Sequence, residues 1–417
     1  MEHIVNKLKK NRDESFNKQF TLSDFDNSEI NEFDVSYENG IYPVIVSEFW
    51  TSKQRQSNRI HEVSYRACFK SQLPSFFIKF FSNPLDVVYD PFNGRGTTCI
   101  EAALLNRNII ANDINPISLI FTEPRIDIPD LDEIVERLKN IEYSYDLTSD
   151  IDLSMFYDEK TLSEIVSLKR YLSNKKLENL EDNVDKWIRM VATNKLTGHS
   201  KYFFSVYTLP PNQAITAKRQ IEINKKYNQV PTYKNTKDII IKKSSELLKN
   251  INKSLHNQLK KIATKAVYLN NPADNTPMIN NESVDLVITS PPFLDIVDYI
   301  GDNWLRIWFN DINPNDVLQK ITVTKKVEIW NEYMSNVLKE LYRVVKPNGY
   351  IAFEVGEVRN GKVKLDENIA KIGIDAGFNV EAVIINQQSF TKTANIWGVS
   401  NNKQGTNTNR IVLLKKI

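Results

Sequence analysis

The chain is poor in the residues that hold metals or cross-link loops. Of its 417 residues only two are cysteine, Cys68 and Cys99, and only four are histidine, His3, His61, His199 and His256. Two cysteines are too few for a disulfide scaffold or a zinc site built on cysteine pairs. The histidines never fall at metal-ligand spacing, so no protein-held metal is expected. Long apolar runs are also lacking. No window approaches 18 uninterrupted apolar residues, and the N-terminal stretch MEHIVNKLKKNRDESF has no apolar core to act as a signal. The expectation is a soluble, cytoplasmic protein with no membrane partner. No internal repeat or low-complexity tract appears, and neither sign of charge dominates, the net value being +2. What remains, 41% hydrophobic and 25% charged residues, is ordinary globular composition with length for one large domain or two modest ones.

The charge is nonetheless unevenly distributed. Residues 125–186 carry nine basic and sixteen acidic side chains, whereas residues 201–265 carry fourteen basic and three acidic. A surplus of that size suits a polyanion, because neutralising phosphates releases counterions. A solvated lysine-rich helical face explains it equally well.

The first 45 residues are polar without sustained period and read as an arm or peripheral helix. From Leu73 the segment LPSFFIKFF reads as an amphipathic helix, followed by a short buried strand at 86–89 (DVVY), a glycine-bearing turn at 93–98, a helix at 99–105 and a second strand at 108–111. Strand, turn, helix, strand is the grammar of a parallel sheet with right-handed crossovers. It returns with strands at 284–289, 350–355, 378–386 and 410–415, and with helices at 330–345 and 365–376. The fold expected is α/β, a doubly wound Rossmann-like sheet. Four parts are expected: an arm at 1–60, a first part of the sheet domain at 61–125, a largely helical insertion at 126–262, and a second part at 263–417.

Two turns carry the chemistry. Asp90-Pro91-Phe92-Asn93-Gly94-Arg95-Gly96-Thr97-Thr98 sits where the first strand meets its helix. Two glycines admit a ligand to the backbone, and free amides at a helix start bind its charged end. Asp113, 19 residues beyond Gly94, ends the second strand, where a carboxylate accepts ribose hydroxyls. The pairing fits an adenosine-containing cofactor. It does not fit a phosphate loop, because no Gly-Lys-Ser/Thr follows. The second turn, Ser290-Pro291-Pro292-Phe293, ends the strand at 284–289. Consecutive prolines remove two donors and fix the direction of their carbonyls. A serine hydroxyl and a proline carbonyl so held can accept both protons of an exocyclic amine, while the adjacent ring stacks on its base.

Together these motifs resemble the amino-directed DNA methyltransferases, which modify cytosine N4 or adenine N6 with S-adenosylmethionine. Residues 90–98 resemble the family's D-P-F-x-G-x-G-T-T cofactor motif, and residues 290–293 its [D/N/S]-P-P-[Y/F] catalytic motif. The resemblance spans 61–125 and 263–417 but not the insertion. It implies that Asp90, Pro91, Phe92, Gly94, Gly96, Thr97, Thr98 and Asp113 bind S-adenosylmethionine. Phe69 is implied at its methionine end and Asp274 at its adenine. Ser290, Pro291, Pro292 and Phe293 are implied as catalytic. A serine at the head of the catalytic motif is more typical of cytosine-N4 enzymes, and a separate restriction endonuclease is the partner that the family implies.

Within the insertion, Asn212 and Gln213 are of the type that reads base edges, and Lys218, Arg219, Lys225 and Lys226 of the type that positions phosphates. Phe203, Phe204 and Tyr207 among them read either as core or as fillers for the gap an extruded base leaves. The substrate implied is double-stranded DNA. An adenine-N6 enzyme, an RNA or protein-glutamine methyltransferase, a non-catalytic nucleic-acid-binding protein and a nicotinamide-dependent oxidoreductase are the alternatives. The oxidoreductase leaves Ser290 to Phe293 unexplained. Cytosine-C5 chemistry is rejected, since neither cysteine sits in a Pro-Cys loop.

Overall fold

A computed structural model describes residues 31–37, 40–47, 57–66, 68–209, 214–292, 298, 300–319, 324–358, 363–387 and 408–417. Its centre is a nine-stranded sheet of order β1-β2-β10-β11-β7-β6-β3-β4-β5. In chain order the strands are β1 (Asn31–Tyr37), β2 (Gly40–Ser47), β3 (Val87–Asp90), β4 (Asn108–Asn112), β5 (Val267–Leu269), β6 (Val284–Thr289), β7 (Val345–Val355), β8 (Glu357–Val358), β9 (Val363–Lys364), β10 (Asn379–Gln387) and β11 (Thr408–Lys415). The pair β8 and β9 stands apart as a small ribbon. Strands β5, β4, β3, β6 and β7 run parallel, and β11 is inserted antiparallel between β7 and β10. The doubly wound α/β expectation holds.

Alternation along the strands explains the layers. Val88, Ile109, Ala111, Leu286, Ile288 and Ala352 join one buried cluster, while their neighbours Tyr89, Ile110, Val287, Ile351 and Phe353 join another on the opposite face. Successive side chains of a strand point to opposite faces, and a parallel sheet covered on both sides needs apolar residues at every position. On the first face lie α1 (Gln72–Phe81) and α2 (Thr97–Leu104), and on the second α12 (Val327–Val344) and α13 (Leu365–Asp375).

One expectation is corrected. The N-terminal segment is not simply an arm or helix: β1 and β2 pair antiparallel, and β2 adds parallel to β10 with Val44 opposite Val383. Pro43 argues against a central strand. It is tolerated because the described register with β10 begins only at Val44.

The insertion, for its part, is not a separate globule. The crossover from β4 to β5 begins with α3 (Ile117–Thr122), and the insertion that follows carries α4 (Leu131–Asn140), α5 (Glu159–Leu177), α6 (Asn183–Lys195), α7 (Ala217–Tyr227), α8 (Thr236–Leu248) and α9 (Lys253–Ala263). Its buried residues, among them Leu138, Leu172, Trp187, Phe204 and Leu259, belong to the same cluster as Val88 and Leu286. Gln258 of α9 donates to the carbonyls of Ala103 and Leu104 at the end of α2, at 2.8 and 3.1 Å. Beyond β6 lie two short helices, α10 (Trp304–Phe309) and α11 (Pro314–Leu318). No helix among the described residues is long and apolar enough to cross a membrane.

A shared core makes unfolding cooperative. Replacing Phe204, 1% exposed, with alanine should cost about 3–5 kcal/mol and lower one common transition followed by circular dichroism and tryptophan fluorescence. Two separated transitions would mean that the insertion folds by itself.

Candidate active site

The chain leaves β3 toward β4 and β5 on one side of the sheet, and leaves β6 toward β7 on the other. Where the winding reverses, the turns after β3 and β6 separate and leave a crevice at the carboxyl ends of the strands. Both motifs lie there. A cavity there is lined by Tyr65, Arg66, Cys68, Pro91, Phe92, Gly94, Asp113, Ile114, Asn115, Asn271, Ala273, Ser290, Pro292 and Tyr333.

The glycine turn is held from behind. Gly96 has φ +81° and Gly94 φ +54°, backbone that side chains rarely adopt, and a Cβ on Gly96 would lie 2.3 Å from Thr122 Oγ1. Asn93 donates from Nδ2 to Ser118 and Thr122 at 2.8 and 2.7 Å. Thr98 Oγ1 donates to the carbonyl of Ile288, and Thr289 Oγ1 donates to Asp90 Oδ1 at 2.6 Å, so that the ends of β3 and β6 are tied directly. Burial pushes the Asp90 acid up to about 7 against these hydrogen bonds.

Asp113 faces the crevice. Its Oδ2 accepts from the Gly94 amide at 2.7 Å and its Oδ1 from Asn115 at 2.9 Å, which joins the two halves of the sequence motif. Each carboxylate oxygen has two lone pairs, so acceptor capacity toward the cavity remains. Burial raises its acid to about 6, with the two amides pulling the other way.

One wall is a strap that follows the short 3-10 turn Arg59–His61; it is irregular over residues 62–66 and 68–70 and carries Tyr65, Arg66 and Cys68. Without sheet or helix partners its carbonyls need other donors, and three arginines supply them. Arg125 donates to Ile60 at 3.1 Å and to the carbonyl of Arg95, Arg95 to Val63 and Phe69, both at 3.2 Å, and Arg306 to Ser64 at 2.9 Å. Arg125 is fully buried, and desolvation lowers its guanidinium to about 9. Arg66 closes the strap with an ion pair to Asp302 at 2.5 Å.

Of the residues that the sequence nominated, Pro91, Phe92, Gly94, Asp113, Ser290 and Pro292 meet at this cavity. Pro291 is buried between the last two. Asp90, Gly96, Thr97 and Thr98 do not line it; they are buried behind the turn and hold its shape. Phe69 does not line it either, since its ring packs on the core, and Cys68 and Tyr65 stand in its place. Asp274 is half-buried beside the lining residue Ala273, and its charge helps hold the Tyr333 hydroxyl above the ordinary range. Phe293, Asn212 and Gln213 lie outside the described residues. Lys218, Arg219, Lys225 and Lys226 are exposed on α7, away from the cavity lining. Phe203 and Phe204 are buried, which favours core over base contact. Tyr333 and Asn115 were missed. Asn115 lies within the motif after β4, whereas nothing in the sequence marks Tyr333.

An α/β nucleotide-type crevice with a glycine turn and a Ser-Pro-Pro turn defines the class, and comparison with known proteins then identifies the family. The model of the DNA methylase family, whose members are N6 and N4 methylases, matches residues 5–119 and 284–416, over half the chain. The chain belongs to this family. It is similar to the type II methyltransferase M.BsoBI of Geobacillus stearothermophilus, with 24% identity over 328 residues, 70% of this chain and 60% of that protein. It is also similar to the type II methyltransferase M.MjaII of Methanocaldococcus jannaschii, with 29% identity over 105 residues, 24% of this chain and 20% of that one. A SAM-dependent methyltransferase from Methanosarcina mazei aligns over 82% of this chain and 97% of its own at 9% identity, with a TM-score of 0.32, too low to carry an argument.

Gly96→Ala should destabilise the protein by about 2–4 kcal/mol in urea unfolding, because the left-handed backbone and the contact with Thr122 act together. A loss below about 0.5 kcal/mol, the scale of an ordinary surface change, would contradict the packing described.

Proposed function

We propose that this chain transfers a methyl group from S-adenosylmethionine to the exocyclic amine of a base extruded from double-stranded DNA, with cytosine N4 as the acceptor. The observation that carries the reading is the meeting of Asp113 and Gly94 with Ser290 and Pro292 in one cavity. The residues fit the cofactor. Asp113 offers acceptor lone pairs to a ribose, Phe92, Ile114, Ala273 and Tyr333 offer apolar walls to a purine, and Asp274 stands nearby for its amine. When bound, S-adenosylmethionine supplies an electrophilic methyl group on a sulfonium that leaves as a neutral thioether.

The chain's own residues then act on the amine. The Ser290 hydroxyl and the Pro291 carbonyl accept its two N–H bonds, which draws the nitrogen lone pair out of conjugation and aims it across the crevice. Alignment and preorganised acceptors do the catalysis, with no strong base required. The methylated nitrogen sheds its extra proton to solvent. Phe293 stacks on the base. Extrusion is needed because a paired amine is out of reach inside the duplex.

Ser290 in place of aspartate or asparagine supports cytosine over adenine. The likeness to type II methyltransferases supports a protective role beside a separate restriction endonuclease, in the cytoplasm. The insertion, residues 126–262, would read the DNA. Its support is a tie to the exit of the catalytic turn: the Ala214 amide donates to the Asp302 carbonyl at 2.8 Å, and Trp304 Nε1 to the Ile215 carbonyl at 3.0 Å. In the sequence Asn212 and Gln213 immediately precede these contacts, and Lys218, Arg219, Lys225 and Lys226 follow on α7 as phosphate contacts.

The test offers labelled cofactor with DNA, RNA and protein in parallel. Label should enter DNA at cytosine N4, and Ser290→Ala should reduce transfer by about 10²-fold or more with cofactor binding retained. Label in RNA or protein, or an active Ser290→Ala, would overturn the reading. Cofactor affinity should fall as pH drops through about 6, where Asp113 takes up a proton and one of its oxygens turns from acceptor to donor. Titration calorimetry across pH 5–8 should find that dependence in the native protein and lose it in Asp113→Asn, which binds more weakly throughout.

A further inference from the structure

The catalytic turn has a structural problem that its own sequence cannot solve. Prolines fix φ but supply no N–H, so Ser290-Pro291-Pro292 cannot be anchored by amides of its two prolines. A donor must come from elsewhere. Trp330, 3% exposed and in the first turn of α12, donates its indole Nε1–H to the carbonyl of Pro292 at 3.0 Å. The indole nitrogen is a donor only, and this bond is its exit from burial without loss.

Helix α12 is a rigid mount for that donor. Met334, Val337, Leu338 and Leu341 fix it to the second face of the sheet, in the same buried cluster as Val287 of β6 and Ile351 of β7. One turn beyond Trp330, Tyr333 reaches the cavity itself and sets its ring edge-on to Phe92 of the glycine turn, centroids 6.5 Å apart. The start of one helix therefore touches both motifs, Trp330 on the catalytic side and Tyr333 on the cofactor side.

We propose that Trp330 is a positioning residue for the transfer step, its hydrogen bond to Pro292 setting the direction in which Ser290 and the Pro291 carbonyl meet the target amine. The proposal rests on the function proposed above. It assigns the two neighbouring aromatics to different kinetic parameters: Trp330 acts on the chemical step and Tyr333 on cofactor binding. A purely structural tryptophan would make no such division.

The experiment compares wild type, Trp330→Phe and Tyr333→Ala in single-turnover methyl transfer to DNA with cofactor prebound, alongside cofactor and DNA affinities and near-ultraviolet circular dichroism. Phenylalanine keeps an aromatic ring and removes the donor. Trp330→Phe should slow the single-turnover rate by about tenfold, the worth of one orienting hydrogen bond, with both affinities within about twofold of wild type. Tyr333→Ala should show the opposite pattern, a weaker cofactor affinity and a near-normal rate at saturation. An unchanged rate in Trp330→Phe overturns the proposal, and so does a rate that falls only in step with cofactor affinity or with loss of the folded spectrum. Wild-type protein that transfers no methyl group to any DNA would overturn the proposed function itself, an outcome distinct from an active wild type matched by its variant.

Discussion

Everything at the crevice depends on β3 and β6 lying side by side although 193 residues separate the end of one from the start of the other. Their pairing is short, Val88 with Leu286 and Tyr89 with Val287, and two threonines reinforce it just where the strands end. Thr98 reaches across to the Ile288 carbonyl and Thr289 to Asp90. These bonds are buried, where hydrogen bonds are strong and a lost partner is costly. They bring the glycine turn and the Ser-Pro-Pro turn into one cavity. Asp90 and Thr98 form part of the clasp between the two turns.

A second layer of constraint is cationic. The strap over the glycine turn is held by guanidinium groups on carbonyl oxygens, and Arg125 is buried with no carboxylate ion pair among the described residues. Removing a buried charge from water is expensive unless its donors are used. Arg125 uses them on Phe121, Ile60 and Arg95, and thereby joins the strap, the glycine turn and the helix after β4.

The legible parts of the fold were those with a period. DVVY, NIIA and VDLVIT stood out because strands buried on both faces are continuously apolar, and the α12 and α13 segments because their apolar residues recur at helical spacing. Strand β5 has only three residues with exposed Val267 at its head, too short for any pattern. Strand β1 is the sheet's edge and β2 lies between it and β10 with a proline at position 43, so the segment lacks the continuous apolar run of a buried strand and reads as an arm. The 19-residue spacing of Gly94 and Asp113 placed a carboxylate at the end of the second strand, and the structure adds a hydrogen bond from the Gly94 amide at 2.7 Å. Tyr333, Trp330 and the strap's arginines had no such spacing. Their roles come from the rotation of a helix and from carbonyls in irregular backbone, which only the folded chain reveals.

The most direct test is a crystal structure with S-adenosylhomocysteine bound. The account predicts the ribose hydroxyls on Asp113, the purine among Phe92, Ala273 and Tyr333, and the sulfur directed toward Ser290 and Pro292. A nucleoside bound elsewhere, or one whose sulfur points away from the end of β6, would contradict the claim that these two turns form one active site.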